Sequence, residues 1–279
     1  MDVLQKIKEH KKRQPPPKKR SGNLLIPRIN KSLEDSNKST YKAAPSFTPS
    51  TLGSPCLRRI YYAYHRVEMD YPFDSKMLKI FGLGNSIHEL MQGWLEACPD
   101  IEYIPYVGKN GNIPIHFYTK KEDPEFPVKS APLEIRKGKI DGILKIDEKF
   151  YILEMKSINN RGFLQLSGPK EDHSQQASLY FYLFSEGLAR GDYDHVPGVA
   201  RNTPVEGIIY LYMNKDTGDL KEYLVDKNSI LLERSMGTVA NKIFAVQDYN
   251  AKNELPPMTE DWCKTCNYRD KCARSYKPE

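Results

Sequence analysis

Three charged residues stand at a spacing that chemistry can use: Asp141 in GKIDGILKID, and Glu154 and Lys156 in KFYILEMKS. Both segments are β-like in pattern and are joined by Asp147-Glu148, so they read as a strand–turn–strand hairpin. With the turn centred between Asp147 and Glu148, Ile146 faces Lys149, and counting outward Asp141 faces Glu154. Directly opposed residues of an antiparallel pair share one face, with Cβ atoms about 4.5–5.5 Å apart. Lys156, two positions past Glu154, lies on that face too. Two carboxylates this close repel unless a cation, a shared proton or the lysine offsets them. The pair suits Mg2+ or Mn2+, which favour oxygen ligands. Such an ion polarises a phosphoryl oxygen and activates water, which the lysine can orient. The chemistry implied is attack of water on a phosphodiester. An ordinary surface hairpin with a cross-strand Lys–Glu pair has the same spacing. Ile152, Leu153 and Met155 around the charges argue instead for a central, buried strand, where charge is seldom placed without a purpose.

Two further features fit. His88, in GNSIHELMQ, could give the same ion a nitrogen ligand, although a histidine there is also an ordinary core or boundary residue. Gln176 and Tyr180, four apart, share one helix face. An amide and a phenol there could hold a phosphate or a base, or simply pack the helix on the sheet. A second constellation closes the chain: Cys263, Cys266 and Cys272 form C-x2-C-x5-C. Three thiolates leave a four-ligand site one short, so the fourth must come from elsewhere in the chain. No secretory signal opens the sequence, so a reducing compartment is expected, where clustered cysteines hold metal more often than they form disulfides.

The elements that must position these groups follow from periodicity. SPCLRRIYYAYHR reads as a helix from Arg58 to His65, capped by Ser50 or Ser54. Its tyrosines could stack bases and its arginines meet phosphates, or the tyrosines could pack in the core. Residues 78–97 read as an amphipathic helix with Ile80, Leu83, Ile87, Leu90, Met91, Trp94 and Leu95 on its apolar stripe. Residues 99–132 read as proline-rich loop. After the hairpin come a helix over 172–189, strands in VEGIIYLYMN and LKEYLVD joined through Asp216-Thr217-Gly218-Asp219, and a late helix in SILLERSMGTVANKIFAV. That order predicts an α/β fold with a mixed central sheet flanked by helices.

Charge is uneven. The net charge is +6, yet residues 1–43 carry twelve Lys or Arg against four Asp or Glu, so the remainder carries −2. Residues 1–46 read as a basic, disordered tail, with a possible short helix at its start, and residues 47–279 as the folded domain. The tail is expected either to touch a polyanion or to serve as a solvated linker. Gly82 and Gly84 lack the third glycine of a nucleotide fingerprint, and no G-x4-G-K-[ST] loop exists, which excludes a P-loop ATPase. No run of about 18 apolar residues exists, so no membrane span is expected.

His88, Asp141, Glu154-x-Lys156 and Gln176-x3-Tyr180 together resemble the RecB-type branch of the PD-(D/E)XK nucleases. Cys56 ahead of these motifs and the cysteine segment 261–274 behind them resemble its iron–sulfur members, the CRISPR-associated RecB-like exonucleases and the AddAB-type nuclease modules. The resemblance implies a restriction-endonuclease-like core whose two chain ends meet at a four-cysteine site. It implies that His88, Asp141, Glu154 and the Met155 carbonyl bind Mg2+ or Mn2+, that Lys156 acts on the attacking water, and that Gln176 and Tyr180 position DNA. Cys56, Cys263, Cys266 and Cys272 would hold a 4Fe–4S cluster; four cysteines equally suit structural Zn2+, and the spacing alone does not separate the two. Ile140 stands where the family name has proline. The implied activity is a deoxyribonuclease, most simply an exonuclease on single strands or duplex ends in recombination, repair, replication or CRISPR adaptation. With no helicase in the chain, a helicase, recombinase or integrase partner is expected, in the cytoplasm or at the nucleoid, and a phage or mobile-element origin suits the compact chain. The competing readings are a non-catalytic DNA-binding scaffold module and an RNA-directed nuclease of the same fold. Cys98 reads as a buried small hydrophobe near a helix end; His65, His116, His173 and His195 are left without a role, although His173, three residues before Gln176, could approach the active site.

Overall fold

A computed structural model of the chain describes residues 24–37, 44–114, 123–201, 203–275 and 277. The chain divides into two units, residues 1–40 with 73–79, and residues 41–72 with 80–279. In the first, helix α1 (Ile26–Ser36) is bonded to residues near position 75: Glu34 accepts the Ser75 N–H at 3.0 Å, and Asn30 accepts from Lys79 at 2.9 Å. The helix expected at the start of the tail, and most of the tail expected to be disordered, lie outside the described residues, as does His116.

The remaining elements run α2 (Pro49–Leu52), α3 (Leu57–Tyr64), α4 (Ser75–Glu96), β1 (Glu102–Ile104), β2 (Phe126–Ser130), β3 (Ile135–Ile140), β4 (Gly142–Ile146), β5 (Lys149–Ile158), α5 (Asn160–Leu164), α6 (Glu171–Arg190), β6 (Val205–Asn214), β7 (Leu220–Asp226) and α7 (Ile230–Ala251). A 3-10 turn (Glu260–Thr265) and α8 (Arg269–Ala273) follow. Five strands form a mixed sheet in the order β1-β4-β5-β6-β7, and β2 pairs with β3 in a separate two-stranded sheet. Only β5 and β6 are parallel within the five. A parallel pair needs a crossover, and α5 with α6 supplies it. Helices flank the sheet, as a restriction-endonuclease-like core requires.

The β4–β5 register is the one the sequence implies: Ile146 opposes Lys149 and Gly142 opposes Leu153. Asp147 and Glu148 both have positive φ, 48° and 61°, which a two-residue turn of type I′ demands. Alternate residues of β5 and β6 then serve two cores. Ile152, Ile158, Ile208, Tyr210 and Tyr212 join the main core with α3, α6 and α7. Leu153, Met155, Ile209 and Met213 join a smaller one with Ile87 and Met91 of α4.

Several expectations are corrected. The run GKIDGILKID is not one strand: it breaks at Asp141, with β3 paired to β2 and β4 paired to β1 and β5. Residues 99–132 contain β1 and β2; Pro127 is accommodated because β2 is an edge strand with β3 as its neighbour. On α4 the apolar stripe is only partly covered: Ile87 and Met91 are buried, while Ile80, Leu83, Leu90 and Trp94 are exposed. Helix α3 starts after Cys56, and Ser54 accepts the Cys56 N–H at 3.3 Å rather than capping the helix itself. Tyr61, Tyr62 and Tyr64 are all buried in the main core, which removes them as base-stacking surfaces. Cys98, just past α4, is half-buried.

Candidate active site

Asp141 occupies the break between β3 and β4, and its backbone is fixed from the side. Its carbonyl accepts from Tyr103 Oη at 2.9 Å and Gln92 Nε2 at 3.3 Å. The Tyr103 ring lies so close to Gly142 that a Cβ there would meet it at 2.5 Å, so glycine is what lets the ring reach Asp141. The side chain is then aimed across to β5, where Oδ2 accepts the Met155 N–H at 2.6 Å. The register agrees with this placement, since Asp141 falls one step beyond the Gly142–Leu153 pair, opposite Glu154 and beside Met155.

Glu154 is 1% exposed. Lys156 Nζ forms an ion pair with its Oε1, but neither carboxylate oxygen has a hydrogen-bond partner in good geometry among the described residues. A carboxylate buried this way needs a cation or a proton. Burial pushes Glu154 up to about 7, against the opposing Lys156 charge and with Asp141 adding to the rise. Asp141 is likewise pushed up to about 7 by burial, Lys156 again opposing and Glu125 adding. For Lys156, burial favours the neutral amine, but Glu154 and Asp141 outweigh it and the pKa is raised.

His88 lies on α4 with Nδ1 3.6 Å from Asp141 Oδ1. Burial, then the Lys156 charge, hold it below its ordinary value, so it stays neutral and able to act as a ligand; its ring also donates to the Met155 backbone carbonyl. Thus His88, Asp141 and the Met155 backbone are brought together, with Glu154 and Lys156 facing Asp141 from β5; the ligand atoms found within 4.8 Å of one another are those of His88, Asp141 and Glu125, and one imidazole with carboxylate oxygens fits a divalent ion of the Mg2+ or Mn2+ type.

Gln176 and Tyr180 do share a face of α6, and Gln176 Nε2 donates to Tyr180 Oη at 3.1 Å. Tyr180 is buried, close enough to Glu154 and Asp141 that burial and then their charges raise its pKa, and it takes a backbone hydrogen bond from Lys139. It therefore ties α6 to β3, and Gln176 is the more accessible of the two.

Two neighbours lie beside the site: His173, whose place before Gln176 left such an approach open, and Glu125, which the sequence did not point to. His173 Nδ1 lies 2.8 Å from Tyr212 Oη, and Tyr212 is the β6 partner of Lys156. Burial lowers His173 to about 4, with Asp172 opposing and Lys156 and Lys170 adding to the fall. Glu125, just ahead of β2, has a carboxylate oxygen that lies, with ligand atoms of His88 and Asp141, in a group all within 4.8 Å of one another. It escaped the sequence reading because β2 did; the alternation Phe126–Val128 was the available signal, masked by Pro127.

The cysteines also converge. Cys56 at the start of α3, Cys263 and Cys266 in and after the 3-10 turn, and Cys272 in α8 line one cavity with Arg58 and Arg59. All four are free thiols. Arg58 spans the two chain ends: its Nε donates to the Pro256 carbonyl at 2.7 Å, and its Nη1 lies 3.8 Å from Cys272 Sγ. Burial raises the Cys266 thiol, Arg59 opposing and Cys56 and Cys272 adding.

Among the described residues no helix is long and apolar enough to cross a membrane. No curated protein matches the sequence. A solved structure described as "Crystal structure of SSO0001" is similar to the chain with a TM-score of 0.47 and 16% identity, covering 90% of this chain and 96% of that one. The family profile described as "PD-(D/E)XK nuclease superfamily" matches residues 115–273, a span that contains Asp141, Glu154, Lys156, Gln176 and Tyr180. That match takes in more than half of the sequence, and the chain belongs to the PD-(D/E)XK nuclease superfamily.

Proposed function

We propose that the chain is a Mg2+- or Mn2+-dependent DNA nuclease of the RecB-type branch, acting as an exonuclease on single strands or duplex ends. The observation that carries the reading is Glu154: a carboxylate buried to 1% exposure and placed opposite Asp141, its Oε1 in an ion pair with Lys156 and its Oε2 without a hydrogen-bond partner among the described residues. His88, Asp141, Glu154 and the Met155 carbonyl would hold the ion, which when bound supplies electrophilic activation of the phosphodiester and a more acidic water. Asp141 is held in register by the Met155 N–H. Lys156, whose charged form Glu154 and Asp141 favour, would orient the attacking water or assist its deprotonation and offset charge on the phosphate. Gln176, half-buried beside Tyr180, would contact the DNA backbone. The presence of the whole acidic pair and the lysine favours catalysis over a scaffold role.

Cys56, Cys263, Cys266 and Cys272 would hold a 4Fe–4S cluster. The cytoplasm or nucleoid, with a helicase, recombinase or integrase supplying opened DNA, is the setting this activity would need.

One anaerobic preparation tests both sites. Iron content and visible absorption are measured, then end-labelled single-stranded and duplex DNA is incubated with Mg2+ or Mn2+ beside Glu154→Ala. Iron with broad visible absorption, and cleavage that requires Glu154, is the expected result. A colourless zinc protein that still cuts removes the cluster but keeps the nuclease. A protein that binds DNA and cuts under neither metal leaves the scaffold reading, and cleavage of RNA alone replaces the substrate.

A further inference from the structure

We propose that Glu125 is a ligand of the divalent ion, which lies between His88, Glu125 and Asp141 within reach of Glu154, so that the centre carries three carboxylates. The inference rests on the metal-site reading above and extends it to a residue outside the motifs.

The placement comes from register. In the small sheet Phe126 opposes Ile140, so one step farther puts Glu125 opposite Asp141. In the large sheet one step beyond Gly142–Leu153 puts Glu154 opposite the same residue. Asp141 therefore stands where the two ladders meet, with an acid on each side. Ligand atoms of His88, Glu125 and Asp141 all lie within 4.8 Å of one another. One imidazole with carboxylate oxygens suits Mn2+ well.

The surroundings agree. Lys139 Nζ holds Glu125 Oε2 at 3.2 Å and also pairs with Asp123, which steadies the Glu125 carboxylate at the mouth of the site. Glu154 agrees with this: Lys156 meets its Oε1, while its buried Oε2 has no hydrogen-bond partner among the described residues. Charge points the same way. With the acids ionised and His88 neutral, Asp123, Glu125, Asp141 and Glu154 face Lys139 and Lys156, and the two negative charges left over are what one divalent ion carries.

The test is Mn2+ binding by the metal-free full chain at pH 8, read by calorimetry and by the electron paramagnetic resonance of free Mn2+, with no DNA present. Glu125→Gln should weaken binding by about tenfold or more, the loss expected when a group of the ligand sphere is removed. Asp123→Asn, which takes the same charge from the same lysine without removing a ligand, should change binding less than about threefold. Should Glu125→Gln fold poorly by circular dichroism, Glu125→Asp keeps the charge and shortens the arm, and it too should weaken binding. Unchanged affinity in the Glu125 variants, or equal losses in Glu125→Gln and Asp123→Asn, overturns the proposal while the metal site stands. A wild-type chain that binds no Mn2+ brings down the site itself.

Discussion

Loading of the metal site should follow pH steeply between pH 6 and pH 8. Asp141 and Glu154 are both pushed up to about 7, burial being the chief cause and Lys156 the opposing one. A carboxylate takes up a cation only after it loses its proton. With both acids near 7, each is about 10% ionised at pH 6 and about 90% at pH 8. Two such acids change the apparent affinity roughly a hundredfold across that range, about 2.7 kcal/mol. His88, held down by burial and by Lys156, adds no proton to the count. The sign for stability is the reverse of the usual acid case. A raised folded pKa favours the protonated acid, so this contribution is full below the ordinary carboxylate range and lost as pH rises through about 7. Mn2+ should therefore stabilise the fold most at the alkaline end. Calorimetric titration with Mn2+ in buffers of differing ionisation enthalpy gives both Kd and the protons released. The expected result is about two protons released per ion near pH 6, falling to about one in Asp141→Asn. A Kd that moves less than about threefold from pH 6 to pH 8 would refute the assignment of these two acids as ligands with raised pKa values.

Other perturbations reach different parts of the argument. Lys156→Met should cost about a hundredfold or more in cleavage, and because Lys156 lowers both acids it should also move the pH midpoint of Mn2+ binding upward; an unmoved midpoint counts against the charge coupling. Gly207→Ala would set a Cβ 2.3 Å from the Val225 carbonyl oxygen across the β6–β7 ladder, a backbone clash that neither strand can relieve. It should destabilise by about 3 kcal/mol and lower Tm by about 6–12 °C in a thermal melt. Glu148→Gly relieves a side chain held at φ 61° and should stabilise by about 0.5–1 kcal/mol, since the Lys145 pair it forfeits is exposed. A lower Tm for that variant would mean the turn tolerates Glu148 without strain.

The central part of the site was legible because it depends on local rules. Asp147 and Glu148 close a hairpin, a two-residue turn fixes the register, and the register sets Asp141 against Glu154. Strands β6 and β7 were equally open to reading, with Gly218 at φ 84° in the turn between them. What the chain pattern does not carry is partnership at a distance. Nothing in GKIDGILKID says that its first half pairs with residues 126–130 and its second with β1 and β5, so the break at Asp141 and the approach of Glu125 stayed hidden. Helical spacing placed Ile80, Leu83, Leu90 and Trp94 on α4, but spacing cannot tell whether a face is covered. The cysteines were visible as ligand types, while Arg58 and Arg59 beside them became visible only once the chain ends were brought together.

That meeting of the chain ends has a consequence in time as well as in space. Arg58 and Cys272 are 214 positions apart, and Asp70 takes hydrogen bonds from Asp270 and Lys271 at the far end of the sequence. At roughly 5–20 residues per second, a ribosome leaves about 10–40 s between making Arg58 and making Cys272. Through that interval the residues at 263–272 that Cys56 and Asp70 meet in the folded chain have not been made. The β4–β5 hairpin, by contrast, has all its residues within one short stretch and can close as soon as it emerges. Synthesis therefore finishes the carboxylate centre first and the cysteine centre last, and a chain cut short before residue 263 carries a complete acidic pair on a body whose ends were never joined.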